Sequence, residues 1–180
     1  MRIQKCAFAA AWPLLACLAL CGCGTGYRWR SGVPQEMRTV AVPTFRNESD
    51  LQEAGAVASR QLLREFQREG TFSIRPTGDA ALEVQGTVLS VGGGSSAFDR
   101  RSGLRLSASE VVANATVTVV DKRRGKVLVN SRPYVARTTY AGGQDATTAR
   151  RDAAGRLMDD LARQVVDDVL ALGFGGEEGK

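Results

Sequence analysis

From residue 37 onward the apolar positions change period several times, and each change marks an element. The run MRTVAVPTF, Met37 to Phe45, places Val40 and Val42 on one side of a short β-branched stretch that stops at Pro43, which predicts a strand. Leu51, Ala54, Ala58, Leu62 and Phe66 then recur at helical spacing, so a helix is expected from about Leu51 to Arg68, stopped by Gly70. Ser49 and Gln52 have the spacing of a capping box at its start. Phe72 and Ile74 open a second extended stretch. It is broken by PTGD and resumed by ALEVQGTVLSV, with Leu82, Val84 and Val88 on one face.

The sequence GGGSSAFDRRSG reads as a loop, because three glycines in a row supply neither side chains to pack nor backbone stiffness. Beyond it Val111, Ala113, Ala115, Val117 and Val119 alternate with Glu110, Asn114, Thr116 and Thr118, the clearest strand pattern in the chain. DKRRGK makes a polar turn, and VLVNSRPYVARTTY returns as the partner strand of a long hairpin. Pro133 cannot donate to a ladder, so that strand is expected at an edge or bulged there. A last amphipathic stretch carries Ala154, Leu157, Leu161, Val165 and Val169 on one stripe and ends at Gly173, predicting a helix of about seven turns. Asp159, Asp160, Asp167 and Asp168 interleave there with Arg156 and Arg163 and read as a solvated face.

The order is therefore β-α-β-β-β-α. Two helices with one apolar stripe each, and alternating strands, bury both kinds of face as an α+β two-layer sandwich. Both helices are expected on one face of a mixed or antiparallel sheet of about four strands.

The first 36 residues follow a different pattern. MRIQK is positively charged, and CAFAAAWPLLACLAL is an apolar run of signal-peptide length, too short to span a membrane before Gly22, Gly24 and Gly26 arrive. Leu20-Cys21-Gly22-Cys23 spells a lipobox. Cys23 has the required small residue before it, whereas Cys21 has Leu20 in that place. The expected organisation is a lipoprotein signal peptide over 1–22, a lipidated N-terminus and glycine-rich tether over 23–36, a single domain over 37–173 and a frayed tail over 174–180.

Composition then narrows the chemistry. Of Cys6, Cys17, Cys21 and Cys23 only the last survives such cleavage, so no internal disulfide is available. With no histidine in the chain, the common zinc and iron ligand sets, Ser-His-Asp triads and Cys-His pairs cannot be assembled, and no catalytic centre, metal or cofactor is expected. Removing Arg2 and Lys5 from the 24 basic residues leaves 22 against 19 acidic ones, too mild a balance for a nucleic-acid partner. Gly92 to Ser96 lacks the Lys and helix start of a phosphate loop. Asn47-Glu48-Ser49 has the form of a glycosylation sequon and is read as a helix cap.

Two basic clusters remain as candidates for anion binding: Arg100, Arg101 and Arg105 before the central strand, and Lys122, Arg123, Arg124 and Lys126 in its far turn. On one continuous strand they sit at opposite ends, roughly 55 Å apart, so they are two sites or none.

A lipobox, GYRWR after the cysteine, a Val-rich strand ending in VPTFRN, the LQEAGAVASRQLLREF helix, a long hairpin and a charged C-terminal helix together resemble the LPS-assembly lipoprotein LptE family. The resemblance covers essentially the whole mature chain. It implies a non-enzymatic outer-membrane lipoprotein, anchored on the periplasmic side through acyl chains on Cys23. Gly24, in place of an inner-membrane retention Asp, accords with outer-membrane sorting. It further implies a partner, the LptD-type β-barrel translocon, which such proteins plug and help to assemble, and a ligand, lipopolysaccharide. The positions available for the lipopolysaccharide contacts are Arg100, Arg101, Arg105, Lys122, Arg123, Arg124 and Lys126. The alternative is a periplasmic accessory lipoprotein of another envelope complex, such as a cell-wall synthase activator.

Overall fold

A computed structural model describes residues 32–97, 108–141, 146–172 and 174, all within one compact unit, Ser31–Lys180. Cys23, Arg100, Arg101, Arg105 and Gly173 lie outside the described residues. A 3-10 turn at Gln35–Met37 leads into β1 (Thr39–Ala41), β2 (Arg46–Asn47), α1 (Ala54–Glu69), β3 (Ser73–Ile74), β4 (Leu82–Ala97), β5 (Ala108–Asp121), β6 (Lys126–Ala141) and α2 (Ala146–Ala171).

All the strands form one mixed sheet in the order β3-β1-β4-β5-β6, with β2 also on β4. The short strands β1, β2 and β3 pair in parallel, while β4, β5 and β6 form an antiparallel meander. Helix α1 packs on β4 and α2 on β5 and β6, with the helices against each other. The α+β class with both helices on one face is as expected, but the sheet has six strands rather than four. The second expected strand is split around Pro76 into β3 and β4, and β2 is a further short strand beyond Pro43, where the first expected strand stops.

The core sits between the helices and the inner sheet face. Val111, Ala113, Ala115, Val117 and Val119 of β5 are buried, as are Leu62 and Phe66 of α1 and Leu157, Met158, Leu161 and Val165 of α2. Val33, read above as tether, and Met37 belong to the same core.

Two of the register shifts in the long strands keep their alternation aimed at this core. In β4 the inward alternation runs through Val84, Gly86 and Val88. The pairing then slips at Leu89, so that Val91 rather than Ser90 turns inward. In β6 a slip around Ser131, whose φ is 43°, lets Val129 and Tyr134 both face the helices despite their odd spacing. Pro133 lies on this outermost strand beside the bulge, so both features that its missing N–H calls for are present.

Two local readings are corrected. Gly92 to Ser96 is not a loop: β4 continues through it to Ala97, with Gly92 opposite Val112 and Gly93 opposite Val111, and this long-range pairing outweighs the poor strand propensity of glycine. Nor is there a capping box. Helix α1 begins at Ala54 without a side-chain cap, and the Ser49 hydroxyl donates to Asn47 Oδ1 at 2.7 Å. Asn47 Nδ2 in turn donates to the Leu51 and Gln52 carbonyls, so the sequon residues fold the approach to the helix rather than its first turn. At the other end the stop is as expected: Gly70, at φ 82°, donates its N–H to the Phe66 carbonyl.

Close approach fixes the junction of the two layers. Phe45 is wedged between β4 and α1, its N–H donating to the buried Ser59 hydroxyl at 2.7 Å, and a Cβ at Gly86 would stand 2.1 Å from its ring.

Candidate functional site

The β5–β6 turn gathers four of the seven basic candidates, Lys122, Arg123, Arg124 and Lys126, on one exposed tip. Its conformation is set from beneath. Asp121, only 1% exposed, accepts hydrogen bonds at Oδ1 from the backbone N–H groups of Arg123 (2.9 Å) and Arg124 (3.1 Å), and Gly125 completes the turn at φ 62°. The Lys122 N–H donates to the Ala81 carbonyl at 2.8 Å, tying the turn to the start of β4.

The cations are not equivalent. Lys122 Nζ lies 3.2 Å from Oε2 of Glu83, a residue only 5% exposed, whose other oxygen accepts from Gln85 Nε2 at 2.6 Å. Glu83 Oε2 is buried and makes no hydrogen bond, so the Lys122 ammonium is its counter-charge. Arg123 Nη1 is 3.9 Å from Glu36 Oε2, with both side chains largely in solvent, a pairing that contributes little. Arg124 has no ion-pair partner among the described residues, while Lys126 retains a contact of its own. Of the four cations, Arg124 is thus the one left without a counter-charge among the described residues, and Arg123 is held only by an exposed pair at 3.9 Å. Neither Glu83 nor Glu36 is legible in the sequence as a partner of the turn, since each meets it only through the fold.

The acidic face assigned to α2 is also only partly solvated. Arg163 pairs with Asp160 at 3.2 Å, as a helical surface would. Asp168, however, accepts from the buried Tyr134 hydroxyl at 2.8 Å and pairs with Arg132 at 3.3 Å, through the same oxygen, Oδ2. Burial first, then the hydrogen bond to Asp168, pushes the Tyr134 phenol well above its ordinary range. This cluster fastens α2 to β6.

The sheet face away from the helices carries a shallow hollow of about 330 Å³ lined by hydroxyls and amides, among them Thr87, Thr116, Thr118, Gln85 and Ser131. Arg46 at its border is paired with Glu48 at 3.2 Å, leaving the hollow polar and close to neutral. No described helix is long and apolar enough to cross a membrane.

Similar folds occur in solved structures. A minor lipoprotein from Acinetobacter baumannii is 15% identical, with a TM-score of 0.51 over 75% of this chain and 94% of that one. A hypothetical protein from Chlamydia trachomatis is 14% identical, with a TM-score of 0.52 over 77% and 98%. At such identities the likeness is one of fold. No curated protein matches the sequence. The LptE lipopolysaccharide-assembly family matches residues 37–169, from the end of the turn that leads into β1 almost to the end of α2, and the chain belongs to that family.

Proposed function

We propose that this chain is an outer-membrane lipoprotein, acylated at Cys23, that plugs and helps to assemble an LptD-type β-barrel translocon and binds lipopolysaccharide during its delivery to the cell surface. It acts by binding and positioning, not by catalysis. The observation that carries the reading is the family match across nearly the whole described domain. The basic turn supports it: Arg124 is exposed without an ion-pair partner among the described residues, Arg123 is weakly held, and the backbone beneath them is fixed by the buried Asp121. Arginine meets lipid A phosphates bidentately, and a fixed turn presents its guanidinium groups with little ordering left to be done on binding. Arg100, Arg101 and Arg105 form the second proposed cluster. The polar, nearly neutral sheet face accords with the polar interior of a barrel.

The test is lipopolysaccharide binding by the purified mature chain. Arg123→Glu with Arg124→Glu is expected to weaken it about tenfold or more, since each charge-assisted contact contributes about 1.5–3 kcal/mol. Lys122 is left in place so that Glu83 keeps its counter-charge. Unchanged affinity in this variant removes the turn from the binding site. Purification from outer membrane without a large barrel protein counts against the translocon reading.

A further inference from the structure

Where the beginnings of α1 and α2 lie side by side, the packing opens into a groove of about 560 Å³. Its floor and walls are apolar, from Leu51, Ala54, Val57, Ala154 and Met158. Asp50 and Glu53 stand on the α1 bank and Arg151 on the α2 bank, all three exposed. None of the three has an ion-pair partner among the described residues, so opposite charges face each other across the opening without closing it.

Gly155 lies in the α2 wall of the groove. A Cβ built there meets no atom within 4 Å, so close helix packing does not require glycine at this position. A glycine inside a helix is about 1 kcal/mol less favourable than alanine. The chain thus combines a helix-weakening residue with unfilled apolar volume at one place, and the volume is large enough for one or two side chains.

We infer that this groove is a docking site for a polypeptide segment of a partner that carries a large apolar side chain next to a lysine or arginine. The apolar side chain seats over Gly155 between Val57 and Met158, and its cationic neighbour meets Asp50 and Glu53. Charge selects this occupant. Two carboxylates against one guanidinium make the rim acidic, which disfavours lipid phosphates, and a bare acyl chain has no use for the charges. The groove is also remote from the Tyr134–Asp168 cluster at the other end of α2. Asp168, beside Arg132, lies 13 residues further along the helix than Gly155, roughly 20 Å at 1.5 Å per residue. None of the residues lining the groove belongs to the basic turn at 122–126, so the inference stands apart from lipopolysaccharide binding, and either can fail without the other.

The test uses the full mature chain in detergent micelles and two synthetic peptides with the same leucines, one flanked by lysines and one by glutamates. The lysine peptide is expected to bind and to shift the backbone amide resonances of Val57 and Gly155, and the glutamate peptide to bind at least about fivefold more weakly at low salt. Gly155→Leu, which fills the groove, is expected to abolish binding. Asp50→Asn with Glu53→Gln, on the exposed rim, is expected to weaken the lysine peptide about threefold or more while lowering the melting temperature by only a few degrees, since Glu53 stands at the N-terminus of α1. If Gly155→Leu does not fold, the rim variant decides alone. Equal binding of the two peptides, shifts confined to other residues, or the same shifts produced by anionic lipid vesicles would each overturn the inference.

Discussion

Replacing Tyr134 by Phe removes one oxygen from the interior and nothing else, which makes it a sharp probe of how α2 is held on the sheet. The residue is 6% exposed, its hydroxyl donates to Asp168 Oδ2 at 2.8 Å, and the Arg132 guanidinium lies 6.0 Å from the ring centroid. A hydrogen bond to a charged acceptor contributes about 1.5–3 kcal/mol. Asp168 is partly solvated and keeps Arg132 at 3.3 Å, so the lower part of that range applies, about 1.5–2 kcal/mol. For a domain of this size that lowers the melting temperature by about 4–6 °C. The pH dependence gives an independent signature. Burial and Asp168 raise the phenol's pKa in the folded state above its unfolded value, so the folded protein holds the proton more tightly. That contribution is fully present below the ordinary tyrosine pKa of about 10 and is lost as pH rises through the folded value. Urea unfolding of both proteins at neutral pH and then at rising alkaline pH reads out the two effects. The wild-type advantage should be largest at neutral pH and shrink above about pH 10. A neutral-pH difference below about 0.5 kcal/mol, or one that stays constant into the alkaline range, refutes the account.

Three further outcomes are expected from the geometry. Gly86→Ala places a methyl group 2.1 Å from the Phe45 ring, and chemical denaturation should show a loss of about 1–3 kcal/mol from overpacking; a neutral result means that Phe45 does not fill the space between β4 and α1 as described. Gly70→Ala, at φ 82°, is expected to cost about 1 kcal/mol in the same assay, and a stabilised variant would contradict the left-handed cap. Lys122→Met leaves the buried Glu83 carboxylate without its counter-charge and should destabilise by about 1–3 kcal/mol, whereas Lys122→Met with Glu83→Gln should recover most of it; a double variant no better than the single one breaks the proposed pairing.

What could be read in the sequence is what repeats along the chain. The alternation from Val111 to Val119 announces β5 because one face of that strand meets the helices and the other does not. The stripe from Ala154 to Val169 announces α2 for the same reason. The turn at 122–126 is legible because a polar run with a glycine separates two alternating strands. Features set by pairing across the fold were not legible. Gly92 and Gly93 are strand because Val112 and Val111 lie opposite, and the inward turn of Val91 depends on a slip at Leu89 that leaves no mark in composition. Ser49 and Gln52 have the spacing of a cap, yet Asn47 competes for the Ser49 hydroxyl two residues away.

The same distinction governs the basic turn. Four cations within a few residues read from the sequence as one patch, but the fold gives them different tasks. Lys122 is drawn inward by Glu83, and its substitution would be felt first as lost stability. Arg123 is tethered loosely to Glu36, which an anion of higher charge can displace. Arg124 projects from a backbone that Asp121 has already set, with no ion-pair partner among the described residues. A charge-reversal scan of the whole cluster would therefore mix folding with binding, and a loss of lipopolysaccharide affinity in such a variant would not identify the contact. Substitution at Arg123 and Arg124 with Lys122 retained separates the two, because it leaves both carboxylates beneath the turn, Asp121 and Glu83, with the partners they have in the native fold.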